Sequence, residues 1–206
     1  VSRMESKGAQ VVIARADVSR EEDVARVLDD ITGSLPPLRG VVHAGMVLDD
    51  GVLLQLNLEL FRKVMEPKMD GAWNLHRLTL NLPLDFFVLF SSVATIAGNP
   101  GQGNYVAANA FLDALAHYRC SQGLPALVIN WGALSDVGYL TRHRDIAEHL
   151  QSVGIKGLAS KEALQILGRF LLKKTAQVAV ANIDWAKSPS SNASPRFSLL
   201  ISPEAL

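Results

Sequence analysis

Short apolar runs rich in β-branched residues alternate along this chain with amphipathic stretches, and that alternation constrains the fold more than any other feature. Val11-Val12-Ile13-Ala14, Gly40-Val41-Val42-His43, Leu84-Asp85-Phe86-Phe87-Val88-Leu89-Phe90, Ala126-Leu127-Val128-Ile129-Asn130 and residues 177–183 predict strands. Residues 21–31, 58–80, 104–119 and 160–172 predict helices. Strands that alternate with helices form βαβ units, so the expectation is an α/β fold with a parallel sheet flanked by helices. The third run is almost wholly apolar, as a strand covered on both faces must be. Ser19 followed three residues later by Glu22 reads as a capping box, and Ser160 as a helix N-cap. Pro67 predicts a kink or break within residues 58–80. Residues 135–157 carry a weaker pattern, read as a loop with short helices. Residues 188–195 are rich in Ser, Pro and Asn and read as linker, so the expected division is one domain over 1–186 and a linker over 187–206.

Bulk properties narrow the function classes. The chain has 206 residues, 49% of them hydrophobic, enough for one core. The formal net charge is zero and no basic stripe is present, so no nucleic-acid partner is expected. No apolar run is long enough to span a bilayer, so no membrane partner is expected either. Cys120 is the only cysteine, which rules out an internal disulfide and a Cys-based metal site. His43, His76, His117, His143 and His149 show no metal-ligand spacing, and no metal is expected. A reducing, cytoplasmic setting fits this composition. The N-terminus, Val1-Ser2-Arg3-Met4-Glu5, reads as the tail of a helix entered midway, so a piece of a longer polypeptide is expected.

In a parallel α/β sheet, ligands bind beyond the carboxyl ends of the strands. There the apolar runs give way to Asp17-Val18, Ala44-Gly45-Met46, Ser91-Ser92 and Asn130-Trp131-Gly132. The strongest local signal is Gly101-Gln102-Gly103-Asn104-Tyr105-Val106-Ala107-Ala108-Asn109. Tyr105 and Asn109 are four apart and share a helix face. Tyr105 falls in the first helical turn, where free amides and the helix dipole favour negative charge, so a lowered phenol pKa is expected. Ser92 lies thirteen residues earlier, at a strand end. A strand-end hydroxyl and a helix-start phenol can meet on one carbonyl oxygen, the first donating a hydrogen bond and the second a proton, as a ketone reductase requires.

These residues resemble the short-chain dehydrogenase/reductase superfamily. Most members carry Tyr-x-x-x-Lys, whereas Asn109 stands at the last position here. That exchange, with a lysine on an earlier helix, is similar to the ketoreductase domains of modular polyketide synthases. The matching lysine is Lys68, in Glu66-Pro67-Lys68-Met69-Asp70-Gly71-Ala72-Trp73-Asn74-Leu75. Gly40-Val41-Val42-His43-Ala44, Leu48-Asp49-Asp50-Gly51, the run ending in Phe90-Ser91-Ser92, and Val128-Ile129-Asn130-Trp131-Gly132 also fit. The resemblance spans residues 8–185 or so.

The resemblance implies a Rossmann-like fold that lacks its first βα units, and NADPH-dependent reduction of a β-ketoacyl thioester borne by an acyl carrier protein, in polyketide or fatty-acid-like biosynthesis. It implies Tyr105 as general acid, Ser92 orienting the keto oxygen, and Lys68 with Asn109 holding the cofactor ribose and a proton-relay water. The Lys68 cation would also favour the phenolate of Tyr105. Asp17 and Val18 would contact adenine. His43, Ala44, Gly45 and Met46 would line the cofactor ribose, and Asn130, Trp131 and Gly132 would sit near the nicotinamide. Leu48-Asp49-Asp50 resembles the B-type fingerprint, and Ala97 stands where A-types carry Trp, eight residues before the tyrosine. With Gln102, these residues would set substrate facing and give a D-configured alcohol. Tyr139 would belong to a substrate lid. The carrier protein would dock near Leu48 to Leu56 and residues 135–154, and the tail would lead to neighbouring synthase domains.

Two departures stand out. The family reads His-Ala-Ala-Gly where this chain has His43-Ala44-Gly45-Met46, a variation expected to be tolerated. No Gly-rich phosphate loop and no basic residue selecting a 2′-phosphate appear, so NADPH is implied by the resemblance alone. Two other readings stay open: a redox-silent domain kept for epimerisation or scaffolding, and a fragment inactive when isolated.

Overall fold

The computed structural model describes residues 1–138, 140–185, 187 and 195–197. Four strands form one parallel sheet in the order β1-β2-β3-β5. They are β1 (Gly40–His43), β2 (Phe86–Ser92), β3 (Leu127–Trp131) and β5 (Gln177–Val180). Parallel neighbours need crossovers. Helix α3 (Leu58–Leu78) links β1 to β2, α5 (Gly103–Ser121) links β2 to β3, and α7 (Ser160–Leu171) lies between β3 and β5. The register sets Val41 beside Phe87, Leu89 beside Val128 and Ser92 beside Trp131.

The middle of the sheet is covered on both faces, while Val42 of the edge strand β1 stays 50% exposed. Phe87 and Leu89 of β2 point to one core with Val41, Ala72, Leu112, Leu115, Ala116 and Val128, under α3 and α5. Val88, between them, points to the other core with Leu127, Ile129, Trp131, Leu158 and Ala163, under α7. Alternate residues of a strand face opposite ways, so burying both faces demands the continuous apolar run of β2. Ala72 on α3, with Ala108 and Ala116 on α5, has no exposed surface, and these small residues let the two helices pack closely.

Several expectations are corrected. Val11-Val12-Ile13-Ala14 forms no strand, and Val12 and Ile13 are 61% and 74% exposed. A strand needs a neighbour for its amides and carbonyls, and this segment has none among the described residues. Pro67 does not break its helix: α3 runs unbroken from Leu58 to Leu78. The lost amide bond is outweighed by the buried stripe of Val64, Lys68, Gly71 and Ala72. Ser19 forms no capping box with α2 (Glu21–Ser34), whose N-cap is Arg20. Instead its amide and hydroxyl both donate to Asp17 Oδ1, at 3.0 and 2.7 Å, while Asp17 donates its own amide to Asp23 Oδ2 at 2.9 Å. Ser160 is the first residue of α7 and is itself capped, with Asp136 accepting from its amide at 2.7 Å and its hydroxyl at 2.8 Å.

The expected last strand divides. Its first part is β5, and the rest, β6 (Asn182–Ile183), leaves the sheet to pair antiparallel with β4 (Ile155–Lys156). Helix α6 (Arg144–Ser152) precedes β4 in the weakly patterned region. Two four-residue helices, α1 (Ser2–Glu5) and α4 (Ala94–Ala97), complete the described elements other than 3-10 turns. Tyr139 and nearly all of the expected linker lie outside the described residues. No helix among the described residues is long and apolar enough to cross a membrane.

Candidate active site

Tyr105, Ser92, Lys68 and Asn109, spread over more than forty positions of sequence, meet at the carboxyl end of the sheet. β2 ends in Ser92, and α5 begins two residues before Tyr105. Asn109, one turn along α5, is fully buried and donates from Nδ2 to Tyr105 O at 2.8 Å. Lys68 reaches in from the buried face of α3, 2% exposed, and its Nζ donates to Phe90 O at 2.9 Å. The same Nζ lies 5.7 Å from the centroid of the Tyr105 ring.

The electrostatics depart from expectation at the phenol. Burial pushes the Tyr105 pKa up, and hydrogen bonding with the Ser92 and Asn109 side chains pulls it down by less, so the net direction is upward, not the expected downward one. The helix start lowers a phenol pKa only where solvent leaves the phenolate affordable, and desolvation is the larger effect here. Tyr105 is therefore a protonated donor at neutral pH. Burial also pushes Lys68 down to about 8, with the Asp113 carboxylate acting the other way. His43, 4% exposed at the end of β1, is pushed down to about 4 by burial and then by the Lys68 cation, so it is neutral.

The loop carrying Leu48-Asp49-Asp50 is tied to the start of α5. Gln102 Nε2 donates to Asp50 Oδ2 at 2.8 Å, and Gly51 donates its amide to Gly101 O at 2.8 Å. Asp49 accepts from Lys63 Nζ at 2.6 Å, and its carbonyl accepts from Asn104 Nδ2 at 2.8 Å. Asn104 is fully buried, and its Oδ1 takes the Tyr105 amide at 2.9 Å. One amide thus locks the loop and the phenol-bearing turn together. Ala97 ends α4 and lines a cavity of about 560 Å³ with Val93, Ile96, Leu158 and Val180.

The remaining expected residues divide into groups. Val18, Gly45 and His43 come together against α3: a Cβ on Gly45 would lie 3.2 Å from His43 Cε1, and one on Gly71 would lie 2.7 Å from Val18 Cγ1. Asn74 Nδ2 holds this turn through the carbonyls of Val18 and Ser19, at 3.2 and 2.9 Å. Ala44 and Met46 are exposed beside it. Asp17 is exposed and occupied with Ser19. Asn130 turns into the core on the α5 side, while Trp131 packs on Phe90 in the other core, their ring centroids 5.5 Å apart. Gly132 touches Ala181, whose Cβ and Cα would lie 2.9 and 3.0 Å from an added Cβ.

Sequence reasoning missed Asn104, Thr95, Asp113 and Gln177. A signal for Asp113 was present: Tyr105, Asn109 and Asp113 recur every four residues as polar positions in an Ala-rich helix.

A nicotinamide cofactor is what this fold implies, and the residues present fit its ribose end. Asn109 Oδ1 and His43 Nε2 are buried polar atoms with no partner, placed around Lys68 and Tyr105. A buried polar atom without a partner is costly, so each is an acceptor or donor available to a bound group.

The comparisons show the family. The KR domain family model matches residues 1–136. The phenolphthiocerol synthesis polyketide synthase type I Pks15/1 of Mycobacterium marinum is 40% identical over 173 residues, covering 82% of this chain and 8% of that protein. Polyketide synthase GfsE of Streptomyces halstedii is 47% identical over 162 residues, covering 78% of this chain and 4% of that protein. Among solved structures, the ketoreductase PlmKR1 from the first module of phoslactomycin biosynthesis in Streptomyces sp. HK803 has a TM-score of 0.90 and 32% identity, covering 98% of this chain and 47% of that one. The chain therefore spans under a tenth of these curated relatives and about half of the solved one. With the family model matching well over half of its residues, the chain belongs to the ketoreductase domain family of polyketide synthases.

Proposed function

We propose that this domain reduces the β-keto group of an acyl thioester carried by an acyl carrier protein to a β-hydroxyl, with NADPH as the reductant. The observation that carries the reading is the convergence of Ser92, Tyr105, Lys68 and Asn109 at one strand end, with a phenol that stays protonated. NADPH, when bound, supplies the hydride that the β-carbon receives. Ser92 donates a hydrogen bond to the keto oxygen, where negative charge develops as the carbon is reduced. Tyr105 transfers its phenolic proton to that oxygen, completing the alcohol. Lys68 and Asn109 hold the ribose hydroxyls and restore the proton to Tyr105. The lysine cation also steadies the transient phenolate from 5.7 Å. His43 and Gly45 would line the ribose, and Val18, packed beside them against Gly71, would contact the adenine.

Leu48-Asp49-Asp50, clamped to α5 through Asn104 and Gln102, supports B-type facing of the substrate and a D-configured alcohol. Ala97 leaves free the volume that a Trp side chain would fill. The direct test is to supply the full-length synthase domain with a β-ketoacyl thioester and NADPH and to follow NADPH consumption and product configuration. Consumption matched by β-hydroxyacyl product is the expected result. Intact NADPH and unreduced thioester in a folded domain would overturn the reading in favour of a redox-silent role.

A further inference from the structure

Asp113 lies on the same stripe of α5 as Tyr105 and Asn109, one further turn along. Its two carboxylate oxygens lie 2.9 and 3.0 Å from Asn130 Nδ2. Asn130, in the middle of the sheet, is fully buried, and its Oδ1 accepts from Gln177 Nε2 of β5 at 2.9 Å. These two contacts leave the amide one orientation. Reversing it would set Oδ1 against a carboxylate and Nδ2 against a donor.

An Nδ2 group carries two protons. One makes a charge-assisted bond to Asp113. The other faces Thr95 Oγ1 at 2.9 Å, with Ser91 Oγ at 3.1 Å and Ser92 O at 3.3 Å close by. Thr95 Oγ1 donates to Ser92 O at 3.0 Å, and the Ala94 amide donates to Ser92 Oγ at 3.2 Å. The turn that bears Ser92 is therefore gripped from inside the core by an amide whose orientation is set by Asp113 and Gln177.

We propose that Asp113 is a positioning residue of this site, fixing the Asn130 amide so that it clamps the Ser92 turn and sets how the Ser92 hydroxyl faces the keto oxygen beside Tyr105. The proposal rests on the reductase reading. Asp113 acts through Asn130. Its charge also favours the ammonium form of Lys68, which takes part in none of the ion pairs among the described residues.

The test is steady-state kinetics of the full-length synthase domain on a β-ketoacyl thioester with NADPH. Asp113→Leu is expected to lower kcat by about tenfold or more, the size of a lost charge-assisted hydrogen bond, with KM moved by less than about twofold. Asp113→Asn keeps an amide oxygen that accepts from Asn130 Nδ2, so it recovers most of kcat. Gln177→Met frees the same amide from the other side, gives up on α5 only the exposed contact with His117 Nε2 at 2.9 Å, and lowers kcat in the same direction; it decides the matter if Asp113→Leu does not fold. A kcat within about twofold of the parent in folded Asp113→Leu or Gln177→Met overturns the proposal, as does a loss confined to KM. Tyr105→Phe separates the two levels. If it keeps full turnover, the reductase reading has failed. If it is inactive while the Asp113 and Gln177 variants turn over normally, the positioning role alone has failed.

Discussion

Lys68 of α3 sets its ammonium 5.7 Å from the centre of the Tyr105 ring of α5, with 2% of its surface exposed and its Nζ donating to a backbone carbonyl of β2. A buried cation beside a buried phenol has consequences for both stability and chemistry.

The first consequence is a pH dependence of stability. Lys68 is pushed down from 10.5 to about 8 by burial. Between those values the unfolded chain binds a proton that the folded chain has released, so stability rises with pH across that window. Below pH 8 the folded state bears the full cost of burying the ammonium, about 3 kcal/mol. Lys68→Met is expected to be the more stable protein near neutrality by up to about that amount, to lose the advantage above pH 10.5, and to lack reductase activity. His43, down from 6.5 to about 4, also takes fewer protons when folded than when unfolded. Its contribution is full above 6.5 and is lost as pH falls toward 4. Urea denaturation across pH checks both windows.

The second concerns the phenol. Tyr105→Phe removes the proton donor and leaves the ring, so reduction is expected to fall by about a thousandfold or more while NADPH binding persists. Stopped-flow oxidation of NADPH and a separate binding titration read the two quantities. Turnover at the parent rate would remove Tyr105 from the role of acid.

Gly132 offers a test of why a residue is what it is. The resemblance puts it near the nicotinamide, and a Cβ there would meet Ala181 Cβ at 2.9 Å. Gly132→Ala is therefore expected to cost about 1–3 kcal/mol of stability, through overpacking at the exit of β5. The loss should be the same with and without NADPH in a thermal melt if packing is the whole reason. A loss seen only in cofactor affinity would point instead to a contact with the nicotinamide.

Stereocontrol is open to a gain-of-function experiment. Ala97→Trp, combined with replacement of Leu48, Asp49 and Asp50 by alanine, fills the space at the end of α4 and releases the loop from Gln102 and Lys63. The product is expected to shift toward the opposite hydroxyl configuration on chiral chromatography. An alcohol of unaltered configuration would reject the facing role of these residues.

Much of the sheet was legible because its central strands, β2 and β3, are buried on both faces and must be apolar without interruption. β2 and β3 fall within two residues of their expected positions for this reason, and β1 lies where its short β-branched run is expected although Val42 is 50% exposed. Val11-Val12-Ile13-Ala14 has the same local character and forms no strand, because pairing depends on a neighbour and not on propensity. The two helix caps failed in a related way. Ser19 and Ser160 are good caps locally, but Asp17 and Asp136 offered each of them a charged acceptor. Asn104 escaped notice because nothing in its neighbours along the chain distinguishes a buried amide from a solvated one, whereas Asp113 carried a signal in its four-residue spacing from Asn109.

From sequence alone came the alternation that makes the sheet parallel, and the pairing of a strand-end serine with a helix-start tyrosine that marks a carbonyl site. These are local properties, set by side-chain periodicity and by what each residue can donate. Only the tertiary structure decided the direction of the Tyr105 pKa, the burial of Lys68, and the chain from Gln177 through Asn130 to Asp113. Those depend on how much water is excluded and on which groups from distant helices and strands share the same few ångströms, and neither quantity exists until the chain has closed around them.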